Sequence, residues 1–347
     1  MSRFLQLHLL TFFPPANLNR DDTGRPKTAV VGGATRLRLS SQALKRAWRT
    51  SQVFTGALAG HMGARTQRLG DVVLQHLHAG GVAQDRAMAI AQDIAGVFGK
   101  LQDAKNPTRI EQLAFISPEE QAAALALADR AAAGEKIVAK EAGLLRATDT
   151  AADIALFGRM LASDPAYNRE AAAQVAHAIT THRVTVEDDY YTAVDDLKRP
   201  TEDAGAGFVG EAAFGSGVFY LYLCVDRALL VRNLGGDPAA EGLAATALAA
   251  LAEAAATVAP GGKQNSFAAH GRAHYILAER GDGQPRTLAG AFAKPVAGDD
   301  LMDDSIAALA RFRAALDQAY GQAASAELEM RVGEAGSLAE IVAFARG

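Results

Sequence analysis

Leu5, Leu7 and Leu9 alternate with Gln6 and His8 in the run RFLQLHLLTFF near the amino end. A period of two commits that run to a β-strand with one apolar face, as in a sheet covered on one side only. β texture returns in AHAITTHRVTVEDDYYTAVDDL, in GSGVFYLYLCVD and in QNSFAAHGRAHYILAER. Between the first strand and the others, residues 57–181 are Ala-rich and read as several helices. Any fold for this chain must keep the strands together while a helical stretch interrupts them.

Start and stop signals place the remaining elements. PPANLNRDDTGRPK is a loop, and Gly32 and Gly33 allow tight backbone geometry. Ser40 or Ser41 caps a helix over SQALKRAWR. Ser117, Pro118 and Glu120 form an N-cap, N1 and capping-box series. TAADIALFGRMLASD adds a helical or extended piece, and 197–212 is a Gly-rich loop or hairpin. Asp237 caps and Pro238 starts a helix to about Val258; a last helix spans Asp304 to Tyr320. With the insertion removed the order is β–α–β–β–α–β. That predicts an α+β fold with the ferredoxin-like, split βαβ arrangement of RNA-recognition domains.

The net charge of −4 excludes nothing by itself, but its distribution is uneven. Residues 1–50 hold nine basic side chains and two acidic ones, so that segment carries +7 and the other 297 residues −11. Such segregation is the footprint of a polyanion partner or a salt-bridged solvated face. At 100° per residue, Gln42, Lys45, Arg46 and Arg49 share one arc of about 100°, opposite Ala43, Leu44, Ala47 and Trp48. Lys45 and Arg49 repel as a like-charge i,i+4 pair, and an anion between them reverses that. Cations there would hold phosphates, with Ser40, Ser41 and Gln42 adding neutral hydrogen bonds.

Other motifs give no positive catalytic signal. Gly205, Gly207 and Gly210 match GxGxxG, which would suggest a nucleotide-binding oxidoreductase, but a strand follows where a dinucleotide site needs a helix. His177 and His182, five apart, point to opposite faces of a strand; His76 and His78 are no better as metal ligands. Asp195 and Asp196, with Asp188 and Asp189 nearby, could hold Mg²⁺ for phosphodiester cleavage, though a strand-end turn explains them. No metal or cofactor is expected. Cys224 is the only cysteine, which excludes an internal disulfide and fits a reducing cytoplasm. The N-terminal run carries Gln6 and His8 and reads as a strand and not a signal peptide. Glu241 and Glu253 interrupt the Ala-rich run 239–258, so no membrane span is expected.

LNRDDTGRPKTAVVGG, RLRLSSQALKRAWR, ALFGRM, AHAITTH, YTAVDDL, GSGVFYLY and PGGKQ occur in that order. Together, over residues 1 to about 270, they closely resemble the CasC family, the repeated backbone subunit of the CRISPR Cascade complex of subtype I-E, in the RAMP superfamily. The resemblance implies an RRM-like palm at 1–56 and 182–347, helical fingers at 57–181 and a thumb hairpin at 190–217. It implies a cytoplasmic, non-catalytic scaffold in antiviral defence that binds guide RNA (crRNA) and stacks with other copies of itself as a helical oligomer. Bases left exposed would pair with target DNA. Partners would be the large, small, guide-processing and guide-end-capping subunits of a ribonucleoprotein, and no membrane. Carried over by position, RNA would be gripped by Arg20, Ser40, Gln42, Lys45, Arg46 and Arg49. Met160 would wedge against bases, Tyr190 and Tyr191 would stack, and Lys136 and Lys140, i,i+4 in the fingers, would touch target DNA. The alternative on the same fold is a metal-dependent endoribonuclease using Asp195 or Asp196.

Overall fold

The computed structural model describes residues 2–193, 196 and 208–347. Among these, the strands are β1 Phe4–Ala16, β2 Thr28–Val31, β3 Ala34–Leu39, β4 Ala64–Thr66, β5 Ala114–Ile116, β6 Ala173–Val175, β7 Ala178–Thr180, β8 Glu187–Ala193, β9 Phe208–Asp226, β10 Ala273–Gly281 and β11 Ala326–Arg331. The helices are α1 Ser41–Arg49, α2 Gln52–Ala57, α3 Leu69–Ala79, α4 Gln84–Phe98, α5 Pro118–Ala132, α6 Ala152–Phe157, α7 Arg227–Asn233, α8 Pro238–Thr257, α9 Gln264–Phe267, α10 Leu301–Tyr320 and α11 Leu338–Arg346.

One antiparallel sheet organises the chain, in the order β11-β10-β1-β9-β7-β3-β2, with β6 and β8 also paired to β9. β9 is 19 residues long, so its start can leave the main body and pair only with β8, whose seven residues are all exposed. Residues 208–212, expected in a loop or hairpin, are strand residues paired with β8. β2 and β3 form a hairpin through Gly32 (φ 59) and Gly33 (φ 72), the left-handed pair that a tight two-residue turn needs. Gly32 is also required sterically, because a Cβ there would lie 1.7 Å from the Ala293 carbonyl oxygen.

Leu5, Leu7 and Leu9 pack with Trp48, Phe54, Leu248 and Leu251 in the main core. The expectation of a sheet covered on one side is corrected, since Gln6 and His8 are also buried, at 1% and 0% exposure. A second layer around Leu10, Tyr220, Tyr275, Phe292 and Leu309 of α10 covers that face. Most of its polar groups find partners inside it. Tyr222 Oη donates to Gln6 Oε1 at 2.8 Å, His8 Nδ1 lies 2.8 Å from Tyr220 Oη, and His8 Nε2 lies 3.3 Å from Glu279. Arg286 donates to Glu279 (2.9 Å) and Asp317 (2.8 Å). Burial lowers the His8 pKa, and a neutral ring with its proton on Nε2 fits both partners. Burial would raise Glu279, but hydrogen bonds from His8 and Arg286 prevail and hold it at about 2.

A separate core in the interrupting region gathers Leu69, Val73, Leu77 and Ile94 with Phe98, Ile110 and Leu127, from α3, α4, α5 and the segment between. The Ser117 capping box is complete: Ser117 Oγ accepts from Glu120 N and Glu120 accepts from Ser117 N. Asp237 caps α8 by accepting from Ala240 N. By length and composition α8 is apolar enough to span a bilayer, contrary to expectation, yet more than half of it is buried inside this fold. β11 and α11 extend the sheet edge and its cover, beyond the expected elements.

Candidate nucleic-acid interface

Helix α1 is held by its apolar side. Leu44 and Trp48 are buried, and the Trp48 indole N–H donates to the Val258 carbonyl at 3.2 Å. Ser40 is the N-cap: its hydroxyl accepts from Ala43 N (3.4 Å) and its own N–H donates to Asn19 Oδ1 (2.8 Å). That bond ties the loop after β1 to the helix start and brings exposed Arg20 alongside; Arg20 itself bridges to Pro26 through the backbone. Ser40 is largely buried by this role. No acidic residue sits in the first turn to occupy the free N–H groups there.

On the opposite side Gln42 and Arg46 are exposed and Lys45 is half-buried. Burial lowers the Lys45 pKa, and no carboxylate lies within ion-pair range among the described residues. A partly desolvated ammonium without a counter-ion favours a bound anion.

Arg49 does not belong to this free ridge, and the expectation for it is corrected. Its Nε donates to Asp153 Oδ2 (2.6 Å) and its Nη2 to the Gly63 carbonyl (2.6 Å). Asp153, with a fully buried side chain, also accepts from the Gly63 and Ile154 amides at 2.7 and 3.0 Å. Burial pushes the Asp153 carboxyl up, against the pull of those donors. The residue that sequence spacing aligned with Lys45 is therefore a joint between α1 and α6. Arg36 is likewise structural: fully buried, it donates to the Thr180 (2.7 Å) and Phe292 (3.0 Å) carbonyls. Arg3 pairs with Asp226 and Arg25 with Asp188. Arg38 Nη1 lies 2.8 Å from His177 Nδ1. Burial and the Arg38 and Lys27 charges lower His177. His182 Nε2 accepts from Val218 N (3.1 Å) and its Nδ1 lies 2.9 Å from the Arg183 carbonyl, a structural role.

Three further groups stand apart from α1. In FGRM, Gly158 turns with φ 82, and Arg159 is buried against Glu120 at 2.7 Å. Met160 then emerges 75% exposed above a groove it shares with Leu113 and Lys100. On the β8–β9 hairpin Tyr190, Tyr191 and Phe208 are exposed, with the Tyr191 and Phe208 rings 6.1 Å apart. Gly210 lies opposite Tyr191, and a Cβ there would meet the tyrosine ring at 2.6 Å. It is strand backbone under an aromatic ring and not the start of a phosphate loop. Lys136 and Lys140 are exposed, but not on one helix face: α5 ends at Ala132, and Lys140 sits in a 3₁₀ turn, Ala139–Glu141. Asp196 is exposed; Asp195, Gly205, Gly207 and the stretch 197–207 of the expected thumb lie outside the described residues. Among the described residues no three His, Cys, Asp or Glu side chains group as metal ligands.

The family model of the CT1975-like proteins matches residues 5–342. This chain belongs to the CT1975-like family. The family member is similar to solved chains of two assemblies. One, a "CRISPR RNA-guided surveillance complex, pre-nicking", matches with a TM-score of 0.84 and 29% identity over 99% of both chains. The other, a "CRISPR RNA-guided surveillance complex", matches with a TM-score of 0.61 and 26% identity over 97% of this chain and 92% of that one. No curated protein matches the sequence. The resemblance to Cascade backbone subunits read from the ordered sequence blocks is borne out by these matches. So is a mixed α/β architecture with an antiparallel sheet and many helices.

Proposed function

We propose that this CT1975-like protein is a non-catalytic subunit of a cytoplasmic CRISPR surveillance complex that binds guide RNA as a scaffold. Copies line up along one guide and leave its bases free to pair with target DNA, alongside the other Cascade subunits. The observation that carries the reading is Lys45: half-buried, without a carboxylate partner among the described residues, and beside exposed Arg46 on the outward side of α1. Phosphates are the ligands such a strip lacks, and they position a strand without reading its sequence. Gln42 and the free α1 N–H groups add neutral and dipolar contacts. Met160, the Tyr191/Phe208 pair and exposed Tyr190 on the other face of the hairpin supply the apolar and aromatic surfaces on which unpaired bases stack.

In this reading the sheet is a ferredoxin-like palm, which the neighbour order β10-β1-β9-β7 supports. The α3–α5 core is the fingers and the β8–β9 hairpin the thumb. The test is purification from cells expressing a guide. The protein should carry a nuclease-sensitive RNA, visible as a raised absorbance ratio and a discrete band; RNA-free material under those conditions overturns the proposal. The endoribonuclease alternative is judged in the same preparation. Regular cleavage of complementary RNA with Mg²⁺, abolished by Asp196→Ala, would replace scaffold with nuclease.

A further inference from the structure

The two-stranded ribbon β4–β5 sets Arg65 directly opposite Phe115. Phe115 carries two guanidinium groups on its ring: Arg49 Cζ is 4.8 Å and Arg65 Cζ 5.7 Å from the centroid. The two arginines therefore lie within about 10 Å of each other, both in cation–π range. Their charge balance differs. Arg49 is neutralised by Asp153, whereas Arg65 is exposed and has no carboxylate within ion-pair range among the described residues. Arg49 ends α1, one helical turn beyond Lys45. Lys45, the Arg49 joint and Arg65 thus run in sequence from the main sheet's helix onto the ribbon that leads into α3. Only the two outer cations are left without an internal anion.

We propose that Arg65 is a further phosphate-binding residue, which carries the bound strand from α1 onto the β4–β5 ribbon with Phe115 as its platform. This rests on the guide-RNA reading above and extends it to a residue outside the basic N-terminal segment. Phe115 restricts the guanidinium to one orientation, so less freedom is lost when a phosphate arrives. The Arg49–Asp153 pair fixes the ring's other neighbour, so the platform does not depend on RNA to form.

The experiment measures binding of the full chain to a 30-nucleotide single-stranded RNA by fluorescence anisotropy, from about 50 to 300 mM salt. Each phosphate contact on a single strand contributes about 0.7 to the slope of log affinity against log salt. Arg65→Ala should weaken binding roughly three- to tenfold and lower the slope by about 0.7, and Arg65→Lys should restore the slope. Lys45→Ala is the reference. If Lys45→Ala lowers affinity and slope while Arg65→Ala matches wild type, Arg65 is a surface ornament of Phe115 and the inference fails alone. If neither variant differs from wild type, the guide-RNA reading fails with it.

Discussion

Asp153→Ala removes one acceptor from three donors at once: Arg49 Nε at 2.6 Å, Gly63 N at 2.7 Å and Ile154 N at 3.0 Å. The Arg49 guanidinium, only 18% exposed, is then left without its carboxylate, and two amides lose their partner. Breaking a buried pair from one side costs about 3–5 kcal/mol, because the remaining charge stays desolvated. For a chain of 347 residues that corresponds to a fall in melting temperature of roughly 4–7 °C. Lys45→Ala and Arg46→Ala break no side-chain hydrogen bond or ion pair among the described residues and should stay within about 0.5 kcal/mol of wild type. Thermal unfolding of RNA-free protein reads the difference, and faster amide exchange at Gly63 and Ile154 localises it. A double-mutant cycle with Arg49→Ala completes the assay, since removing both charges should cost less than the two single losses added. Equal, small effects for Asp153→Ala and Lys45→Ala would refute the division of this strip into a structural arginine and a ligand-seeking lysine.

Two further outcomes follow from the buried network and the exposed hairpin. Glu279 is held at about 2 in the folded chain against 4.5 when unfolded, so its contribution of about 3 kcal/mol is present above pH 4.5 and lost as the pH falls toward 2. His8, lowered by burial, acts in the same sense, its contribution lost as the pH falls below 6.5. Glu279→Gln should lower stability at pH 7 and flatten the acid limb of a stability–pH curve; an unchanged acid limb would count against the assignment. Tyr191→Ala should leave the melting temperature unchanged and weaken binding of single-stranded RNA by about 1–3 kcal/mol for the lost stack, in a titration at fixed salt. Wild-type affinity for that variant would remove the hairpin from the binding surface.

The local signals in the sequence were sound where the physics is local. Ser117 and Asp237 cap the helices they were expected to cap, and of the two serines expected for α1 Ser40 is the cap, because an N-cap needs only a side-chain oxygen and an amide three residues on. The amphipathic split of α1 was legible for the same reason. The polar residues misread in β1, β3 and α1 share one cause, a partner far along the chain. Gln6 and His8 read as solvent-facing because their interior hydrogen-bond partners, the Arg286 backbone N–H and the Glu279 carboxylate, come more than 270 residues later. Arg49 read as free because Asp153 is 104 residues away. Arg36 read as part of a basic footprint, although two distant carbonyls hold it inside. Alternation and helical spacing identify faces, but they do not tell a polar face in water from one that meets its complement. Arg65 escaped notice because its distinction lies in Phe115, 50 residues on, and not in any charge run. The ordered blocks from LNRDD to PGGKQ identified the family before any contact was known.

The central claim is that the outward side of α1 clasps the backbone of a guide RNA. Lys45→Glu combined with Arg46→Glu tests it most directly, with guide RNA co-purification and the salt dependence of binding measured on a variant whose melting temperature matches wild type. Loss of the co-purified RNA and a salt slope reduced by more than one are the expected results. A folded double variant that still carries its RNA at wild-type salt dependence would contradict the account.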